Sequence, residues 1–234
     1  MIEEEKRRWR RRPAQTGAAR ALTQIVKKGD RTPSSRRWLE RQLNDPYVHR
    51  AKAEGWRSRA AFKLLELDAR FAFLRRNMAV VDLGAAPGGW AQAALRHGVG
   101  PLVGIDLLPI EPMEGAQFLE MDIEAEEAEG LLLAALGGRR PDLVLSDMAA
   151  NTTGHKTTDQ IRTGALAQVA CEFALRTLAP NGAFVAKVFQ GGLDAGALAS
   201  LKRAFAHVRH AKPPASRAES SEIYLVAQGF RGAS

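Results

Sequence analysis

Residues 80–90 read VVDLGAAPGGW, and this stretch decides the fold. Its first four residues close a short apolar, β-branched run, 79–83, that reads as a buried strand. The strand passes without a linker into a turn holding Gly84, Gly88 and Gly89, where missing side chains allow positive φ and close backbone approach. Pro87 stiffens the turn, and a helical segment, 90–97, follows at once. Strand, glycine turn and helix in direct succession form the first unit of an α/β domain. The turn lacks G-x-G-x-x-G, so a pyrophosphate cradle, and with it a nicotinamide oxidoreductase, is a poor match.

Outward from that unit the pattern repeats. Apolar strands are predicted at 102–105, 117–121, 142–146, 183–189 and 223–227, with a further candidate at 206–209. Helices are predicted at 125–136, 158–178 and 195–205. Alternating strands and helices imply right-handed crossovers and a doubly wound, mostly parallel sheet covered on both faces. Ligands of such sheets bind beyond the carboxyl ends of the strands. Upstream, Ser58 reads as the N-cap of a helix over 59–70, whose apolar stripe is Ala60, Leu64, Leu67, Phe71 and Leu74. Lys63 falls at the border of that stripe, where a lysine stem packs while its head reaches water. Ser34 and Ser35 could cap a shorter helix ending near Asn44.

With 234 residues and 45% hydrophobic content, the chain fits one globular domain with an extension. The formal net charge of +8 is unevenly spread: residues 1–62 hold 17 Lys/Arg against 7 Asp/Glu, the remainder 17 against 19. Residues 1–31 read as a mobile basic extension and 32–234 as the folded domain. Trp9, Trp38 and Trp56 among the arginines suit a polyanion such as RNA, although a solvated tail would look similar for the first thirty residues. A single cysteine, Cys171, excludes an internal disulfide and fits a reducing compartment. No apolar run approaches the ~18 residues of a membrane span, and the N-terminal charges precede no apolar segment. A cytoplasmic protein is expected, with no membrane or DNA partner and acting as a monomer. No His/Cys cluster has metal-ligand spacing, so no metal is expected.

Polar residues then mark the strand ends. Asp106 ends the second strand 22 residues beyond Gly84, where an acid commonly holds ribose hydroxyls. Asp122 ends the third, placed to accept from a base amino group. Together they describe a nucleoside ligand that needs no phosphate, such as S-adenosylmethionine; the plainer alternative is that each aspartate caps its strand end. Asp147 ends the fourth strand and Glu222 begins the last. Lys187 interrupts the apolar run of GAFVAKVFQG, residues 182–191. It marks either an edge strand with its head in water or an ammonium kept in a special place. With Lys63 these give Lys, Asp, Lys, Glu in chain order.

RSRAAFKL (57–64), VVDLGAAPGGW (80–90), GIDLLP (104–109), LSDMAAN (145–151), FVAKVFQG (184–191) and SSEIYLVA (220–227) occur in that order. Across 34–234 the sequence resembles the FtsJ-like (RlmE-type) ribosomal RNA 2′-O-ribose methyltransferases. The resemblance implies a seven-stranded sheet whose last-added strand is antiparallel. It implies S-adenosylmethionine as cofactor, bound by Gly88, Trp90, Asp106, Asp122 and Asp147, and a catalytic tetrad of Lys63, Asp147, Lys187 and Glu222. By the same resemblance, Lys187 takes the proton of a uridine 2′-hydroxyl in the peptidyl-transferase region of 23S rRNA, met within the large (50S) ribosomal subunit. Methylation of tRNA or of a messenger cap is the same-class alternative. A non-catalytic, RNA-binding assembly factor is the different-class one, against which the intact tetrad argues. Ala150 departs from the family's usual proline, Glu219 and Ser221 stand where relatives often carry basic residues, and residues 1–30 lie outside the pattern. His155 and Lys156, in the loop after Asp147, could touch RNA or could simply be solvated.

Overall fold

Alternation along each strand sorts its side chains onto two faces and so fixes which helices cover them. In the computed structural model, residues 39–40, 42–150, 156–189 and 193–232 are described. The expected basic extension (1–31), the Ser34–Ser35 cap, Trp9, Trp38 and His155 lie outside those residues; 39–40 and 42–43 are helical.

Two helices, α1 (Pro46–Ala53) and α2 (Ala60–Phe71), precede the sheet. Then follow β1 (Val80–Leu83), α3 (Gly89–His97), β2 (Leu102–Asp106), β3 (Ala116–Glu120), α4 (Ala128–Ala135), β4 (Leu143–Ser146) and α5 (Lys156–Thr177). The chain continues through β5 (Ala183–Phe189), α6 (Ala195–Ala204), β6 (Phe205–Ala211) and β7 (Glu222–Phe230). The strands form one seven-stranded sheet in the order β3-β2-β1-β4-β5-β7-β6. β1 to β5 are parallel, and β7 runs antiparallel to both its neighbours. β7 extends past the predicted end because its pairing with β6 continues to Phe205 opposite Phe230.

One face packs Val81, Leu83, Phe184, Ala186 and Leu225 against α4, α5 and α6, with Cys171 in that core. The other packs Val80, Val185, Tyr224 and Val226 against α2 and α3. Strand parity therefore sends Asp82, beside Val80, and Lys187, beside Val185, to the α2/α3 face. The edge-strand reading of Lys187 gives way here: β5 is paired on both sides, and Lys187 is 7% exposed.

The start of α2 also departs from expectation. Its N-cap is Arg59, already in the αR region and without a side-chain cap bond, and Ser58 Oγ is buried without a partner. The space beside Ser58 is used by α3: a Cβ on Gly89 would lie 2.1 Å from Ser58 Oγ. Trp90 Nε1 donates to Ala60 O at 2.9 Å, stapling the two helices. Close approach of α3, rather than a capping hydroxyl, sets the beginning of α2.

Candidate active site

Beyond the carboxyl ends of β1 to β4 lies a cleft of about 650 Å³. Gly84, Asp106, Asp122, Asp147 and Met148 line it, with Ile105, Leu107, Leu108, Met121 and Ile123 supplying apolar surface and Arg162 and Leu166 closing it from α5. Gly84 has φ +74, and a Cβ there would sit 2.6 Å from Met148 Cγ and 2.9 Å from Met148 Cα. Only glycine lets the β1 turn and the residue after Asp147 meet this closely.

Asp106 and Asp122 serve as the strand-end caps that the sequence allowed. Asp106 accepts from Ala86 N and Leu108 N, both at 2.9 Å, and Asp122 accepts from Glu124 N at 3.0 Å, so each carboxylate shapes its own loop. Each also faces the cleft, and a carboxylate has lone pairs to spare for ligand hydroxyl or amino groups. Gly88 and Trp90 are not among the lining residues. Gly88 lies under Arg57, whose guanidinium binds Glu111 O at 2.6 Å and Pro112 O at 2.7 Å. Trp90 is 2% exposed and packs on Tyr224 at 5.7 Å.

The four polar residues from separate strand ends and α2 do come together. Lys187 Nζ donates to Asp147 twice, to the backbone O at 2.6 Å and to Oδ1 at 3.0 Å. Lys63 Nζ meets Glu222 Oε1 at 2.9 Å and donates to Tyr224 Oη at the same distance. Tyr224 Oη in turn donates to Asp147 Oδ1 at 2.8 Å. One unbroken chain thus runs Glu222, Lys63, Tyr224, Asp147, Lys187, and Asp147 carries it to the cleft. Lys63 does not reach water from the border of α2 as a free surface lysine would; it is buried in two polar contacts.

Tyr224 is the member that sequence reasoning did not single out. It reads as one more aromatic in an apolar strand, yet a signal existed: it stands two residues after Glu222, on the same face of β7. It also pairs directly opposite Lys187. Burial pushes its hydroxyl well above the ordinary tyrosine value, and the Asp147 and Glu222 carboxylates add to this against Arg59, so it remains a neutral donor. Asp147 is pulled both ways. Burial raises its carboxyl, but the Lys187 and Lys63 ammoniums and the Tyr224 hydroxyl outweigh it and hold the group below the ordinary value. Asp82, fully buried, is raised well above the usual range by burial and by the Asp147 and Asp106 charges. The Ala91 amide opposes this only from a geometry short of a full hydrogen bond.

The departure at Ala150 has a local explanation. The Ala150 amide donates to Thr163 Oγ1 at 3.3 Å, a bond proline could not make, and it joins the cleft loop to α5. Glu219 and Ser221 are exposed on the connection between β6 and β7. Lys156 opens α5. Among the described residues no group of three His, Cys, Asp or Glu side chains could hold a metal ion, and no helix is long and apolar enough to cross a membrane.

Comparison with known proteins agrees with this fold. The FtsJ-like methyltransferase family profile matches residues 56–230. A protein of Novosphingobium aromaticivorans named ribosomal RNA large subunit methyltransferase E is 63% identical over 203 residues, covering 86% of this chain and 91% of its own. A protein of the same name from Hyphomonas neptunium is 53% identical over 234 residues, covering 99% and 100%. A crystal structure from Plasmodium falciparum, described as a ribosomal RNA methyltransferase, superposes with a TM-score of 0.65 at 29% identity, over 76% of this chain and 100% of that one. A profile match over most of the chain, with relatives 53% and 63% identical over nearly their whole length, makes this chain a member of the FtsJ-like methyltransferase family.

Proposed function

We propose that the chain transfers a methyl group from S-adenosylmethionine to the 2′-hydroxyl of a uridine ribose in 23S rRNA. The target lies in the peptidyl-transferase region of the large ribosomal subunit. The observation that carries this reading is the hydrogen-bonded chain from Glu222 to Lys187, ending at the cleft. A structural ion pair needs two partners; a hydroxyl that must be held and deprotonated beside a cofactor needs several.

The cleft suits S-adenosylmethionine. Asp106 and Asp122 offer acceptors for ribose hydroxyls and an adenine amino group, Ile105, Met121 and Ile123 offer apolar surface, and Gly84 lets the β1 turn close on Met148. When bound, this cofactor supplies an activated methyl group together with its own leaving group. The protein has to position the hydroxyl and handle its proton. Lys187, once it has given up one proton to solvent, accepts the 2′-hydroxyl proton while the oxygen takes the methyl group. Asp147, ionised and fixed by Tyr224, orients Lys187 and stabilises the ammonium that forms. Lys63, anchored by Glu222, holds a positive charge near the developing alkoxide. Gly88 and Trp90 contribute from behind the cleft, by shaping the turn and fixing α3.

Methyl transfer from labelled cofactor to isolated large subunits, naked 23S rRNA and tRNA, followed by mapping, tests the reading. Label in one uridine of the large subunit is expected; label confined to tRNA, or none, would overturn it. Residues 1–31 are proposed to add sequence-independent RNA affinity. Their deletion should weaken binding and flatten its salt dependence, and unchanged binding would reduce them to a tail.

A further inference from the structure

A second buried polar cluster lies outside the cleft, where α1, the start of α2 and the β6–β7 connection meet. At its centre is Asp45, 7% exposed. Its Oδ1 accepts from Tyr47 N at 3.0 Å and caps α1. Its Oδ2 takes Arg59 Nη1 at 2.7 Å and, from the other side, Arg217 Nη2 at 3.0 Å and Nε at 3.1 Å. Arg59 also donates to Ala215 O, and Glu66 accepts from Ala215 N at 2.6 Å and from Tyr47 Oη at 3.0 Å.

Stability is a weak reason for such a cluster. A buried Arg-Asp-Arg set gives up hydration that its attractions barely restore, and apolar groups of the same shape commonly do as well. Nor does it read as an anion site. The shallow cleft of about 370 Å³ beside it carries Asp45 and Glu219 against Arg59 and Arg217, leaving no surplus charge for a phosphate. What the cluster does is join two places far apart in sequence that both lead to the tetrad. Arg59 stands one helical turn before Lys63 on α2. Ala215 and Arg217 stand on the connection that enters β7 at Glu222. That connection is itself tied down by Lys212 Nζ to Ser220 O at 2.6 Å and to Ala218 O at 3.1 Å, with Ser220 Oγ accepting from Glu222 N at 3.2 Å. The next contact inward is the Lys63–Glu222 pair.

We propose that Asp45, with Arg59 and Arg217, is a positioning device that sets the Lys63–Glu222 pair. Asp45 touches no substrate; it fixes α2 relative to the entry of β7. The inference rests on the catalytic role proposed above for those two residues.

The test compares full-length wild type, Asp45→Asn and Arg217→Gln in methyl transfer to large subunits, with cofactor affinity and Tm measured alongside. A small displacement of positioned groups costs rate rather than binding, so kcat of Asp45→Asn should fall roughly tenfold. KM for the subunit and cofactor affinity should stay within about twofold. Arg217 is a quarter exposed, so Arg217→Gln removes one arm with little risk to folding and should give a smaller fall in the same parameter. The double variant should be no slower than Asp45→Asn alone, because both break one device. Unchanged kcat in both single variants overturns the proposal. So does a loss spread evenly over kcat, KM, cofactor affinity and Tm, which marks a merely structural role. If Asp45→Asn does not fold, Arg217→Gln alone decides. A wild type inactive on every RNA refutes the proposed function and this inference with it, whereas active wild type with unaltered variants refutes the inference alone.

Discussion

Replacing Lys187 with methionine tests the centre of the site, since methionine keeps the length and apolar stem and removes the ammonium. Lys187 makes two contacts to Asp147, at 2.6 and 3.0 Å, and both vanish. Asp147 keeps only the Tyr224 hydroxyl at 2.8 Å and the more distant Lys63 charge. Removing one partner of a buried ion pair costs about 3–5 kcal/mol, chiefly through the charge left behind. Loss of a positioned proton acceptor costs a further ~10²–10⁴-fold in rate. The stability loss should depend on pH with a definite sign. In wild type the Asp147 carboxyl lies below its ordinary value, so its stabilising contribution is present above about pH 3.9 and is lost only in stronger acid. In Lys187→Met, burial prevails and the carboxyl rises, so the ionised group destabilises the fold at neutral pH and is relieved as it takes up a proton. Urea unfolding should therefore show a large deficit at pH 7.5 that shrinks towards pH 4. Single-turnover methyl transfer to large subunits, at saturating cofactor, measures the rate. Transfer within about tenfold of wild type would refute the proton-acceptor role, and a deficit equal at both pH values would refute the electrostatic account of Asp147.

Tyr224→Phe removes the one oxygen that links the two ion pairs while leaving the ring against Trp90. It should lower stability by about 1.5–3 kcal/mol in urea unfolding and slow transfer, with cofactor affinity retained. Gly84→Ala forces a Cβ to positive φ and against the Met148 backbone. A loss of about 2–4 kcal/mol and a sharp drop in cofactor affinity by calorimetry are expected. Asp82→Asn removes a buried carboxyl raised above its unfolded value, whose ionisation opposes folding once pH exceeds about 3.9. Its Tm relative to wild type should therefore rise with pH from 4 to 8, and a pH-independent difference would contradict that assignment.

Strands β1, β2, β4 and β5 were legible because parallel strands covered on both faces are near-continuous apolar runs, while the edge strand β3 (Ala116–Glu120) is half exposed and mixes polar with apolar residues. The Gly84–Trp90 turn was legible because its glycines answer a local need. Strand order is a different matter. Nothing local to GAFVAKVFQG says that β7 will lie beside β5, so that run by itself left Lys187 open between an edge residue and a buried ammonium, and the antiparallel partner decides for the second. Tyr224 was hidden for a related reason: its phenol differs from a core aromatic only through Lys63, 161 residues away, and Asp147, 77 away. Ser58 was misread because its hydroxyl suits an N-cap, whereas the contact that matters is with Gly89 on another helix. Asp45 escaped notice because DPY is a complete helix-start signal in itself, and its two arginine partners join only in the folded chain.

The placement of β7 between β5 and β6 separates the ligand cleft from the hydroxyl-handling chain along the sequence. Every residue lining the cleft lies between 84 and 166, within consecutive βα units that close over short chain distances. The hydroxyl-handling chain instead spans Lys63 to Tyr224, and β6 reaches the sheet only through β7. A molecule in which β6 and β7 have opened, during synthesis or in a native-state fluctuation, would keep much of its ligand cleft and none of its Lys63 alignment. In such a molecule binding would outlast transfer, so a binding assay would overstate the working fraction and only turnover would count it.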